Sequence, residues 1–469
     1  MHLKKSPMSR FVLFSFFFIL TAHARSQADD QEIIRRIFTA SLENGQSYEN
    51  LRHLCKDVGN RLTGSHGDSL AVQWGYQKMK ELGYENVRLQ EFETNYWVRG
   101  EGASGKIIDG KEVIPVHLLA LGGSVGTEGK NIRAGVIQID TWEELENRKS
   151  ELQGKIVFYN RRMDPKNVNT FLSYGATVDQ RWSGAMKAAE YGAVAALVRS
   201  VTLKDDEHPH TGSMGYSEDI VKVPGIAISG KDANVLEERL SKNPRLEIEF
   251  TSDCKNLGTV KSSNVIGEIP GSEFPDEYIV IGGHLDSWDV GEGAHDDGAG
   301  IVHAMEILHL LKEAGYQARH TIRCVLFMNE ENGVGGGKIY AKEAGEKGEK
   351  HLAAFESDAG GFSPRGFHVE AADSNIESAA YDELRSWSGL LAPYNLHYFN
   401  KSHAGTDIHK LKDLGSVNFG LIPDSQRYFD YHHTTADVFE AVNERELELG
   451  AASMAALVYL VDRYGIAGE

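Results

Sequence analysis

The chain has 469 residues, 41% of them hydrophobic and 25% charged, with only 11 prolines. That is the balance of a globular protein large enough for two domains, and it excludes a disordered, collagenous or coiled-coil chain. Lys and Arg number 49 against 68 Asp and Glu, a net charge of −19 that repels phosphate backbones and anionic lipid and argues against nucleic-acid binding. Cys55, Cys254 and Cys324 are widely spaced and form no CxxC pair, so any metal must be held by His and carboxylate.

In chain order, Lys4, Lys5 and Arg10 precede the apolar run FVLFSFFFIL at 11–20, and Ala22-His23-Ala24 offers the small residues a signal peptidase accepts. Ten helical residues span about 15 Å, half of the roughly 30 Å of a hydrocarbon core, so residues 1–24 read as a secretory signal peptide and not as an anchor. Cleavage there removes three positive charges and no acidic ones, taking the net charge from −19 to −22. No later stretch reaches 18 uncharged apolar residues. The mature chain is therefore expected to be secreted or periplasmic, without a membrane span.

Residues 31–95 read as helices followed by a short strand, with Val72, Tyr76, Met79 and Leu82 on one helical face before Gly83. From 121 to 252 the texture changes to short strands and small-residue helices, and this block reads as a second domain inserted into the first, which occupies 25–120 and 253–469. Beyond it, the apolar runs EYIVIGG (277–283), TIRCVLFM (321–328) and HLAAFES (351–357) alternate with helices, as strands of a parallel sheet covered on both faces do. Ile301, Met305, Leu308 and Leu311 mark a helix ending near Gly315. The fold class expected is α/β, a mixed but largely parallel sheet flanked by helices, carrying the inserted domain.

Each apolar run ends in groups that bind or move protons: His284 and Asp286, then Glu330 and Glu331, then Asp358. In open α/β sheets reactive groups collect beyond the carboxyl ends of the strands, so three runs point at one crevice. Asp296, in AHDDGAG at a helix start, and His433, in YHHTTAD, complete the set. Two imidazoles and several carboxylates suit zinc, and one shared carboxylate lets the site hold a pair. Two divalent ions about 3.5–4 Å apart bind one water between them and lower its pKa toward about 7. Of Glu330 and Glu331, one is expected on an ion, leaving the other to carry the proton from water to the leaving amine. Asp286 lies on the same side of an extended chain as His284 and is expected to brace the imidazole. His295, Asp297, Asp289, Glu292 and His432 are rivals for ligand roles. His403 and Tyr428 are polar residues late in the chain with no assigned role.

The motifs GGHLDSWDVGEGAHDDGAG, NEENGVGGG, FESDAGG and YHHTTAD resemble the co-catalytic zinc exopeptidases typified by bacterial leucyl aminopeptidases, and the likeness extends to GNRLTGS at 59–65. The inserted block resembles a protease-associated domain. The resemblance implies a zinc exopeptidase fold with two zinc ions, one on His284, Asp296 and Asp358 and the other on Asp296, Glu331 and His433. It makes Glu330 the general base, Asp286 the supporting carboxylate, and a peptide with an unblocked amino end the substrate. A homodimer is compatible with it. Alternatives are an aminopeptidase acting on longer peptides, a one-zinc glutaminyl cyclase, and a receptor that keeps the scaffold without catalysis. A related exopeptidase and deacylase family inserts its lid after the fourth ligand, where only 74 residues separate Asp358 from His433 here.

Overall fold

The computed structural model describes residues 28–466. The signal peptide expected at 1–24 lies outside the described residues. Two eight-stranded sheets organise the chain. In the first, the spatial order is Glu85–Val98, Lys255–Ile269, His320–Phe327, Phe274–His284, Lys350–Glu356, Val417–Pro423, Pro364–Glu370 and Tyr398–Lys401. The inner pairings among His320–Phe327, Phe274–His284, Lys350–Glu356 and Val417–Pro423 are parallel. Lys255–Ile269 joins His320–Phe327 antiparallel, and Glu85–Val98 closes that edge antiparallel. The sheet is therefore mixed around a parallel centre. All eight residues of His320–Phe327 are buried, which is why that strand reads as one apolar run without alternation.

Helices cover the faces. Ala299–Glu313 is buried almost all round, well beyond the four-residue stripe expected, because it lies between the sheet and the 21-residue helix Glu444–Tyr464. His66–Leu82 begins where the Ser65 hydroxyl accepts the Asp68 amide at 3.1 Å, and it ends at Gly83 in the left-handed region (φ 86°). The strand after it is 14 residues long and not short, since Glu85–Val98 pairs along Lys255–Ile269. No described helix is long and apolar enough to cross a membrane.

The second sheet runs Glu112–Val116, Ala103–Asp109, Glu247–Ser252, Ile132–Ile139, Ile156–Tyr159, Ala195–Arg199, Gly225–Ile228 and Leu118–Ala120. It draws in residues 103–120, which the sequence texture left with the first unit; those strands pair with Glu247–Ser252 and Gly225–Ile228. The chain leaves the first sheet at Val98 and returns at Lys255, residues paired across neighbouring strands, so the block enters and exits side by side. Where the two units meet, a Cβ on Gly122 would lie 1.8 Å from the Trp288 ring, so only glycine fits. Beside it, the buried Arg99 donates to Asp289 at 2.9 Å.

Away from the cleft, the turn before Ser47–His53 is fastened to two buried carboxyls. Gln46 donates its amide to Glu306 at 3.1 Å and Tyr48 to Glu448 at 3.0 Å. Burial, then the neighbouring Glu448, pushes Glu306 up to about 8. A raised carboxyl pKa in the folded state contributes stability below the unfolded value of 4.5 and loses it as pH rises through about 8. Glu306→Gln is expected to flatten the fall of Tm between pH 4.5 and 8, so that the variant gains on the wild type as pH rises. Parallel Tm–pH curves for the two proteins would contradict this.

Candidate metal centre

Three strands that are neighbours in space, His320–Phe327, Phe274–His284 and Lys350–Glu356, end side by side in one direction. Their carboxyl ends carry Glu330 and Glu331, His284, and Asp358. Asp296 arrives on the turn before Ala299–Glu313, and His433 on the turn after Tyr428–Tyr431.

The donor atoms converge. His284 Nε2 lies 3.2 Å from Asp296 Oδ1 and 3.4 Å from Asp358 Oδ1. His433 Nε2 lies 3.2 Å from Asp296 Oδ2 and 3.2 Å from Glu331 Oε2. Asp296 thus meets one imidazole with each oxygen. Bonds of about 2.0–2.1 Å in tetrahedral geometry put neighbouring ligand atoms about 3.3 Å apart, the spacing found at all four contacts. Both imidazoles have Nδ1 against a main-chain carbonyl, His284 on Asp286 at 3.0 Å and His433 on Thr211 at 3.2 Å. A carbonyl only accepts, so Nδ1 carries the proton, and Nε2 faces carboxylate oxygens either as a second donor, in the metal-free imidazolium, or as a lone pair turned to a bound cation. Asp296 Oδ2 and Glu331 Oε1 are also buried without a well-formed hydrogen bond among the described residues. The donor set fits divalent cations.

Burial opposes charge at every one of these groups; opposite charges prevail at Asp296, His284 and His433, and burial prevails at Glu330, Glu331 and Asp358. Asp296 is held well below the ordinary carboxylate range by His284 and His433 in spite of burial. His433 is raised to about 10, Glu331 and Asp296 outweighing burial. Burial pushes Glu330 well above the ordinary range, with Asp358 and Glu331 adding to it against His284.

Asp286 differs from expectation in which of its groups does the work. Its carbonyl, not its carboxylate, takes the His284 ring proton; the carboxylate stands 3.7 Å off. Instead the carboxylate accepts the amides of Asn329 at 2.8 Å, Glu330 at 3.0 Å and Glu331 at 3.3 Å, and so fixes the turn that aims both glutamates. The rivals have other partners. Asp297 accepts the amides of His284 and Gly300, both at 3.0 Å, locking the strand end to the helix start. His295 stacks on Phe362, Asp289 holds Arg99 and Glu292 holds Lys56. His432 stacks on His433 at 3.5 Å, but its Nε2 is 3.9 Å from Asp296, so His433 is the better placed. His403 and His409 flank Glu370, whose charge Lys412 balances at 2.5 Å.

Sequence reasoning missed the groups that hold the candidate ligands. Arg61, fully buried, donates to the carbonyls of Leu285 (2.6 Å), Glu292 (2.6 Å) and Gly293 (2.8 Å), which ties down the loop between His284 and Asp296. Asp437 accepts the amides of His295 at 2.7 Å and Asp296 at 3.1 Å. Both sit in motifs recognised by their letters, GNRLTGS and YHHTTAD, whose contacts are not readable from spacing. The centre opens into a cavity of about 870 Å³ whose far wall comes from the inserted block, through Phe171, Tyr174, Arg181, Trp182 and Ser213.

Residues 264–458 match the model of peptidase family M28. The chain is 34% identical over 416 residues to carboxypeptidase Q of Homo sapiens, covering 89% of this chain and 85% of that protein. The chain belongs to peptidase family M28. It is an enzyme of the metallo-exopeptidase class. Carboxypeptidase Q of Xenopus laevis is 35% identical over 418 residues, 89% of this chain and 86% of that one. The crystal structure of a peptidase M28 precursor from Shewanella amazonensis SB2B superposes with a TM-score of 0.87 at 32% identity, covering 93% of this chain and 97% of that chain. A zinc aminopeptidase from Bacillus subtilis shares the fold of this M28 enzyme, with a TM-score of 0.62 at 18% identity over 90% of this chain and 98% of that one.

Proposed function

We propose that the chain is an exported two-zinc exopeptidase that hydrolyses dipeptides or short peptides with free termini. One observation carries the metal reading: Asp296 offers each of its oxygens to a different imidazole, with Asp358 beside His284 and Glu331 beside His433. His284, Asp296 and Asp358 would hold one ion, and Asp296, Glu331 and His433 the other. When bound, such a pair lowers the pKa of water and polarises a carbonyl. Glu330, lining the cavity and not used as a ligand, takes the proton of the attacking water and delivers it to the leaving amine. Asp286 keeps Glu330 and Glu331 in register through their amides. The apolar run at 11–20 supports export, and residues 103–252 act as the inserted, protease-associated-like domain that walls the cleft.

Arg181 supports a free carboxyl end on the substrate. Its guanidinium lines the cavity, is nearly buried, packs over Tyr174 at 5.6 Å and forms no ion pair among the described residues. Its Nε has no hydrogen-bond partner, and only a 3.4 Å contact from Nη1 to the Thr211 carbonyl engages the other end. A buried cation without a counter-charge in a substrate cleft is a place for a carboxylate.

The test is a panel of one dipeptide in free, N-acetylated and C-amidated forms, with zinc counted per chain. Amidation is expected to lower kcat/KM by about 10- to 100-fold, the worth of a hydrogen bond to a charged group. Arg181→Met is expected to remove that preference while zinc content is unchanged. Equal turnover of the free and amidated forms by the wild type would overturn the free-carboxyl reading, and a zinc-free active chain would overturn the whole.

A further inference from the structure

The inserted block touches the segment carrying His433 at several points, Thr202 on Phe429, His208 on Thr435 and Tyr174 on His432, and its strip Thr211–Ser213 is where it hydrogen-bonds His433 and Glu331 themselves. The Thr211 amide donates to the His433 carbonyl at 3.0 Å, and the Thr211 carbonyl accepts the His433 Nδ1 proton at 3.2 Å. Two residues on, the Ser213 hydroxyl donates to the main-chain carbonyl of Glu331. The Glu331 peptide unit is therefore held on both sides, its amide on Asp286 and its carbonyl on Ser213. His433 has φ 61°, a backbone conformation that a non-glycine residue keeps when its neighbours hold it there.

The strip itself is well fastened within its own block. Gly122 donates to the Gly212 carbonyl at 2.9 Å, Met214 donates to the Gly122 carbonyl at 3.0 Å, and the Thr211 hydroxyl donates to the Ala120 carbonyl at 2.9 Å. The other half of the centre is independent of the block. Among the described residues, the hydrogen bonds and ion pairs of His284 and Asp358 go to Asp286, Asp296, Asp297 and each other.

We propose that Ser213 and the Thr211 main chain are positioning elements for the His433–Glu331 cation position alone, so that the inserted block sets the affinity of one metal ion and leaves the other untouched. This rests on the two-cation reading above. Groups that orient ligands without touching the metal typically contribute about 10- to 100-fold in affinity. The same block forms the far wall of the substrate cleft, so any displacement of that wall loosens the His433–Glu331 ion first.

The experiment is stepwise removal of zinc from the full chain by a competing chelator, with metal counted by elemental analysis and the cobalt-substituted protein followed by its visible spectrum. Ser213→Ala is expected to weaken one of the two steps by about 10- to 100-fold, to leave the other unchanged, and to preserve the Tm of the metal-free protein. Ser213→Thr, which keeps the hydroxyl, is expected to restore the wild-type step. If both steps weaken together, or neither moves, the selective role of the strip is wrong. A wild type that takes a single ion overturns the two-cation reading itself, and this proposal with it.

Discussion

Glu330→Gln is expected to lower kcat by about 10²–10⁴ while zinc per chain stays at the wild-type level. The two adjacent glutamates make the expectation specific. Glu331 is buried and stands 3.2 Å from His433, whereas Glu330 is partly exposed, lines the cavity and makes no ion pair among the described residues. Glutamine keeps the size of the side chain and keeps the amide that Asp286 accepts at 3.0 Å, so the turn carrying both residues should survive. What is lost is a group able to take and return a proton. Steady-state kinetics and elemental analysis on the same preparation separate the outcomes: retained turnover removes Glu330 from proton transfer, and lost zinc turns it into a ligand.

On the two-zinc proposal, Asp296→Asn is expected to have the largest effect on metal content, taking it from about two per chain toward zero. Each carboxylate oxygen faces a different histidine at 3.2 Å, so one substitution damages both positions at once. His433→Ala, by contrast, should empty one. Asparagine retains the shape of the side chain, and the amides of His295 and Asp296 still reach Asp437, so folding is expected to persist and circular dichroism should report it. Full retention of both ions in the asparagine variant would show that Asp296 is not the shared ligand.

The convergence of the candidate residues was legible in the sequence because they sit where the strand pattern ends. His284, Glu330, Glu331 and Asp358 each follow an apolar run, and runs of that kind form adjacent parallel strands whose ends must coincide. Other features were legible only in part. Nothing in the sequence of 103–120 marks which sheet it joins, and only its pairing with Glu247–Ser252 and Gly225–Ile228 assigns it to the second sheet. Asp286 was correctly placed beside His284, but direction along the chain cannot tell which of its oxygens meets the ring and which meets three amides.

By itself the sequence determined the α/β class with its parallel centre and which acidic and imidazole residues follow the strands, because periodicity and motif spacing are local properties of the chain. Only the tertiary structure decided that Asp296 faces both histidines, that Asp297 braces the strand end, that Arg61 and Asp437 hold the loops on either side of Asp296, and that Thr211 and Ser213 bond His433 and Glu331. Thr211 lies more than 200 residues before His433. Hydrogen bonds over such separations depend on how two sheets dock, and docking leaves no period in the sequence to read.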